Sequence, residues 1–156
     1  MKEIKVTAKI VKLEKILLDP KNPRFLSKDI IKCSKKEIHT KKVQSRISKL
    51  IMTRHHGKLL KDSIREVGFL KIDHIVCVPH NVSGKEYYLL IEGNRRIAAA
   101  QELKEDIEKL NVEVKPFVLE SLNEIEVLVL GTYTKDIIWL IPVSYTHLTL
   151  PTILLV

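Results

Sequence analysis

The stretch Tyr88-Leu-Leu-Ile-Glu-Gly-Asn-Arg-Arg-Ile-Ala-Ala-Ala100 decides the fold. Its first half belongs to an apolar strand, Glu86–Ile91. At Glu92-Gly93-Asn94 the pattern changes from period two to period 3.6. Arg95 to Leu110 then reads as a helix built on good formers, Ala98 to Leu103. A strand that runs through a glycine into a helix makes a mixed α and β domain. The new helix opens on unpaired N–H groups and a partial positive charge, which attract anions. Gly93 would let a ligand approach the backbone closely. Arg95 and Arg96 are cations in a first turn, where cations are unfavourable. An anionic partner offsets that cost, and phosphate suits the planar guanidinium. Neutralisation of one arginine by Glu92 is the competing explanation.

Outward from this stretch, Asp73–Val78 is a β-branched strand expected to stop at Pro79. Asn81-Val-Ser-Gly84 is turn chemistry joining it to Glu86–Ile91. Upstream, Lys58–Val67 places Leu59, Leu60, Ile64 and Val67 at helical spacing, and Gly68 caps the helix. Ile10–Leu18 reads as a strand, and the prolines of Asp19-Pro-Lys-Asn-Pro-Arg24 force a turning path after it. Residues 27–56 are lysine-rich, with Ile30/Ile31 and Val43/Ile47/Leu50/Ile51 as faces of short helices. Downstream, Val112–Leu119 is extended. Ser121 and Glu124 form a capping box for a helix that ends near Gly131.

The chain has 156 residues, 45% of them apolar, enough to bury a core. Five glycines and six prolines exclude a collagen-like or linker-dominated chain. Two cysteines, Cys33 and Cys77, make neither a disulfide framework nor a CxxC zinc site, so a reduced intracellular protein is expected. Residues 1–62 hold 18 Lys+Arg against 6 acids, or +12; residues 63–156 hold 9 against 13, or −4, which gives the overall +8. The basic half suits a polyanion such as DNA or RNA, or an acidic membrane surface; a solvated lysine face is the bland reading. Met1–Lys9 lacks the apolar core of a signal peptide. Ile137–Val156 is broken by polar residues and prolines before it reaches membrane-spanning length. A cytoplasmic protein without membrane association is expected.

Four segments occur in fixed order: Asn22-Pro23-Arg24, Leu60-Lys-Asp-Ser-Ile-Arg-Glu-Val-Gly-Phe-Leu70, the hairpin, and Gly93-Asn-Arg-Arg-Ile-Ala-Ala99. This order resembles the N-terminal domain of ParB-type chromosome and plasmid partition proteins, within the ParB/sulfiredoxin superfamily, over residues 10–120. The Glu-Gly-Asn-Arg-Arg variant is similar to a branch found in phage and mobile-element regulators. The resemblance implies an α+β domain of ParB/sulfiredoxin type, a small mixed sheet flanked by helices, over residues 1–141. It implies a nucleoside triphosphate, CTP or ATP, with Mg2+. Carried over by position, Gly93, Asn94 and Arg95 cradle phosphate, Arg95 and Arg96 neutralise it, and Arg24 approaches from the first loop. DNA is the implied partner, mainly through a downstream helix-turn-helix domain, and a second copy of the chain is a further one. Lys35, Lys36, Lys41 and Lys42 are candidates for additional phosphate contacts within the lysine-rich segment 27–62.

The chain also departs from the family. Asn94 stands where the partition proteins have Glu, and Ala98 replaces a third arginine. The metal-holding Glu-Asn pair falls near Gly131-Thr132, which supplies no carboxylate. CTP hydrolysis is therefore not implied. The superfamily also includes kinases and nucleases built around the same loop; in an enzyme of that kind Glu92 is the first candidate catalytic residue and Asp73 the second. A structural domain whose arginines pair with Glu92 and Glu102 is the third reading. Sulfiredoxin chemistry is excluded, because its cysteine position is held here by Asn94 and Arg95. Cys77 reads as core and Trp139 as packing. No histidine metal site is expected: His55 and His56 are adjacent, which in a helix points them apart, and His39, His74 and His80 lack ligand spacing. The string Val143–Thr152 resembles translated sequencing adapter. The expectation is a non-native tail over 142–156, with a true C-terminal strand as the other reading.

Overall fold

The computed structural model describes residues 2–22, 25–68, 75–106, 114–120 and 147–150. They form an α+β domain with a mixed sheet and three helices. The strands are β1 (Lys2–Ala8), β2 (Ile16–Leu17), β3 (Val76–Val82), β4 (Lys85–Glu92), β5 (Phe117–Glu120) and β6 (His147–Leu150). Their order across the sheet is β2-β4-β3-β5-β1-β6. The helices are α1 (Lys41–Arg54), α2 (Gly57–Val67) and α3 (Asn94–Asp106).

The β3–β4 hairpin closes on Ser83 and Gly84, both at positive φ (50° and 74°). That is the mirror-image two-residue turn whose twist matches the strands. β3 does not stop at Pro79: the strand continues to Val82, with Pro79 opposite Tyr88. Among the described residues its other neighbour, β5, pairs only with Val76 and Cys77, so no ladder hydrogen bond is asked of Pro79 on that side.

The expected strand over Ile10–Leu18 is shorter than its apolar pattern. Val11 makes an isolated bridge to Val114, Leu13–Lys15 is a 3-10 turn, and only Ile16–Leu17 pairs, parallel to Tyr88 and Leu89. The Gln101 Nε2 of α3 holds this bent segment by donating to the carbonyls of Leu13 (3.2 Å) and Ile16 (2.9 Å). Met1–Lys9, assigned to no element from sequence, supplies β1, which pairs with both β5 and β6. β6 lies at the opposite edge of the sheet from β2. Backbone pairing at an open edge asks little of sequence.

Val43, Ile47 and Ile51 form the buried stripe of α1, as their spacing predicts. Ile30 and Ile31 form no helix: Ile31 is buried, Ile30 is exposed, and the chain around them is irregular. Thr40 caps α1 by accepting from the N–H of Val43. Gly68, at φ 90°, ends α2 as predicted, and its N–H donates to the Ile64 carbonyl. His55 and His56 occupy the corner between α1 and α2 rather than a helix, with the His55 ring against Phe25 (centroids 5.2 Å apart).

α3 packs on the sheet through Ile97, Ala98 and Ala100, which join Cys77, Leu90 and Val118 in one core. Its Ala99 and Leu103 meet Ile64 of α2. The alanine run gives no side-chain bulk there, so the helix approaches both layers closely. Glu102 ties the three helices together, accepting from Ser48 of α1 (3.1 Å) and pairing with Lys61 of α2 (3.5 Å). Among the described residues no helix is long and apolar enough to cross a membrane.

Candidate phosphate site at the start of α3

β2 runs parallel to β4, so both strands deliver their C-terminal ends to the same end of the sheet. The chain leaves β4 through Gly93 into α3, and leaves β2 through Leu18-Asp19. Crevices at the carboxyl ends of parallel strands are the usual ligand positions in α/β sheets.

Gly93 is buried at φ 100°, and its carbonyl accepts the Ile97 N–H (2.9 Å), the first bond of the helix. It is therefore the N-cap. A Cβ built here would collide with Cδ1 of Ile75. Glycine is required here by backbone conformation and by packing on Ile75, two reasons besides the close approach of a ligand to the backbone. A glycine cap offers no side-chain acceptor to the first turn. Among the described residues nothing accepts the backbone N–H of Asn94 or Arg95.

Asn94 is only 4% exposed. Its Oδ1 accepts from the Asp19 N–H at 2.8 Å, which fixes the orientation of the amide. Its Nδ2 is buried and has no partner among the described residues. An unpaired buried donor of this kind costs about 1–3 kcal/mol. Asp19 turns back on the loop, accepting from the Lys21 N–H at 2.9 Å. Burial pushes its carboxyl up to about 6, against the opposing effects of that hydrogen bond and of the Lys21 charge. Gln44 of α1 holds the same loop. Its Oε1 accepts from the Leu18 N–H (2.8 Å), and its Nε2 donates to the carbonyls of Leu18 (3.1 Å) and Ile38 (2.9 Å).

Arg95 is exposed and Arg96 is half-buried. Arg96 and Glu92 both have interactions within the fold. Glu102 is engaged by Ser48 and Lys61, so its expected pairing with the arginines gives way to those partners. Ala98 is fully buried in the core, where a third arginine would have no water. Arg24 and Asp73 lie outside the described residues, as do His74, Trp139, the capping box at Ser121 and the Gly131-Thr132 position. Lys35 and Lys36 stand in a 3-10 turn (Lys35–Glu37), Lys41 and Lys42 in the first turn of α1, and all four are exposed.

The site thus contains the expected Gly93-Asn94-Arg95-Arg96 start of α3. Three further residues, Asp19, Asn22 and Gln44, were not read as site residues from sequence. Asn22 is buried, and its carbonyl accepts the Phe25 N–H (2.8 Å). The only sequence signal for these was the doubled Asx-Pro of the first loop. The phosphate part of a nucleotide fits this donor set: two amides and a buried NH2 without acceptors among the described residues, and an exposed guanidinium. The described residues contain no group of three His, Cys, Asp or Glu side chains able to hold a metal ion. Cys77 is fully buried, and burial pushes its thiol up to about 12, as befits a core residue.

Comparison of the chain with protein-family models, with curated proteins and with solved structures finds no match in any of the three.

Proposed function

We propose that this chain is a phosphate-binding, nucleotide-type domain of a DNA-associated regulator, resembling the N-terminal domain of ParB-type partition proteins. The observation that carries the reading is the start of α3. There the amides of Asn94 and Arg95 and the buried Nδ2 of Asn94 are all donors without acceptors among the described residues, beside an exposed arginine. Three donors at a positive helix end match the oxygens of a phosphate. The residues bind and orient the anion. Gly93 sets the backbone, Asn94 joins the first loop to the helix, and Arg95 supplies charge from the solvent side. A bound nucleoside triphosphate would present its phosphates here.

The test is calorimetry of the full chain with CTP, ATP and GTP, with and without Mg2+, beside an Arg95→Ala/Arg96→Ala variant. Saturable binding that the variant loses supports the reading, and the preferred base names the nucleotide. No heat from a folded chain with any of the three overturns it.

A further inference from the structure

The solvent face of α1 differs from those of α2 and α3, the other α-helices among the described residues. α2 and α3 mix signs: Lys58, Lys61, Asp62, Arg65 and Glu66 on one, Arg95, Arg96, Glu102 and Lys104 on the other. α1 carries Lys41, Lys42, Arg46, Lys49 and Arg54 and no acid in its 14 residues. All five are exposed. Arg54 is paired with Asp29, but Lys41, Lys42, Arg46 and Lys49 have no ion pair among the described residues. The nearest acid in sequence, Glu37, is held by the N–H (2.7 Å) and hydroxyl (2.8 Å) of Ser34, although the Lys42 charge reaches it.

Lys42, Arg46 and Lys49 stand at i, i+4 and i+7. They form one stripe opposite the buried Val43, Ile47 and Ile51. Like charges at that spacing repel, and two lysines in a first turn oppose the helix dipole. A face meant only for solvent gains nothing from this, because alternating signs serve solubility equally well. An extended polyanion offsets both costs.

We infer that the exposed face of α1, centred on Lys42, Arg46 and Lys49, lies along the phosphate backbone of duplex DNA. At about 1.5 Å rise per residue, the three cations span about 10 Å, a length over which one strand of a duplex presents about three charges at ~3.4 Å each. An anionic membrane fits less well: a helix lying in a bilayer buries its apolar stripe there, whereas that of α1 is already in the core. Single strands bind by stacking on aromatic rings, and α1 has none. Ser45, also exposed on the helix, adds a hydroxyl donor suited to phosphate oxygens, whereas the Thr53 hydroxyl already donates to the Lys49 carbonyl (2.8 Å). The inference rests on the DNA-associated part of the proposed function and not on the phosphate site of α3.

The experiment is fluorescence anisotropy of the full chain on a labelled mixed-sequence duplex, read as the slope of log K against log salt. Three proteins are compared: the parent, Lys42→Gln/Arg46→Gln/Lys49→Gln, and an equal-charge control, Lys58→Gln/Lys85→Gln/Lys115→Gln. Circular dichroism verifies folding, which exposed glutamines tolerate. Three lost phosphate contacts lower the slope by about 2.7, at ~0.9 per contact, while the control keeps the parent slope. Lys42→Arg/Lys49→Arg keeps it too. Equal loss in both triple variants means net charge alone and overturns the inference. Parent-like DNA binding by the α1 variant overturns it too, but leaves the DNA-associated reading standing. Absence of duplex binding by the folded parent overturns both. Nucleotide calorimetry on the α1 variant, expected unchanged, keeps the α3 site separate; loss there would mean that α1 acts through that site, which also overturns the inference.

Discussion

Alanine at position 93 separates two reasons for a glycine between β4 and α3. At φ 100° an L-residue is strained by about 1–2 kcal/mol. The new Cβ also meets Cδ1 of Ile75, and overpacking of this kind costs about 1–3 kcal/mol more. Gly93→Ala should therefore destabilise by about 2–5 kcal/mol. Gly84 provides the control. It has φ 74° in the hairpin turn and nothing within 4 Å of a built Cβ, so Gly84→Ala should cost only the strain, about 1–2 kcal/mol. Ile75→Val removes the colliding methyl at a cost of its own of about 0.5–1.5 kcal/mol. The double variant Gly93→Ala/Ile75→Val should lose less than the sum of its singles, by about 0.5–2 kcal/mol. Urea unfolding followed by circular dichroism gives each value as a shift in midpoint at constant m. If Gly93→Ala costs no more than Gly84→Ala and the cycle is additive, the packing argument is wrong, and room for a ligand becomes the better reason for the glycine.

Three other outcomes follow from the loop that Asn94 and Gln44 hold. Asp19 has its folded value raised from 3.8 to about 6, so its contribution is whole below pH 4 and is lost as pH rises through 6. The loss is about 2–3 kcal/mol at ~1.4 kcal/mol per pH unit, so Asp19→Asn should stabilise the chain at pH 7 and flatten stability between pH 4 and 7 in urea titrations. Gln44→Ala strips three hydrogen bonds from Leu18 and Ile38 and should cost about 2–4 kcal/mol, read as a lower thermal midpoint. Cys33, half-buried, should react with a thiol reagent under native conditions, whereas Cys77, fully buried, should react only at the rate of unfolding.

The parts of the fold that sequence made legible are those governed by local chemistry. The change of period at Gly93, the glycine stop at 68 and the Val43/Ile47/Ile51 stripe appear where their patterns place them, and of the Asn81–Gly84 turn Ser83 and Gly84 do, while Asn81 and Val82 extend β3. What was not legible is set by distant partners. The apolar run Ile10–Leu18 bends because Gln101, 85 residues beyond Ile16, takes its carbonyls. Pro79 stays in a strand because, among the described residues, β5 pairs with β3 only at Val76 and Cys77. The candidate site divides the same way. Arg95 and Arg96 announce themselves by violating the dipole rule. Asp19 and Gln44 become site residues only through hydrogen bonds spanning 75 and 26 positions. Asn94, read as a residue whose amide cradles phosphate, proves also to tie β2's exit loop to α3 through its side chain.

The most direct test of the central claim is an NMR titration of the 15N-labelled full chain with inorganic pyrophosphate. Saturable shifts centred on the backbone amides of Asn94 and Arg95 and on the Asn94 side-chain NH2, abolished in Arg95→Ala/Arg96→Ala, are expected. Shifts confined to the lysines of α1, or none at the start of α3, would contradict it.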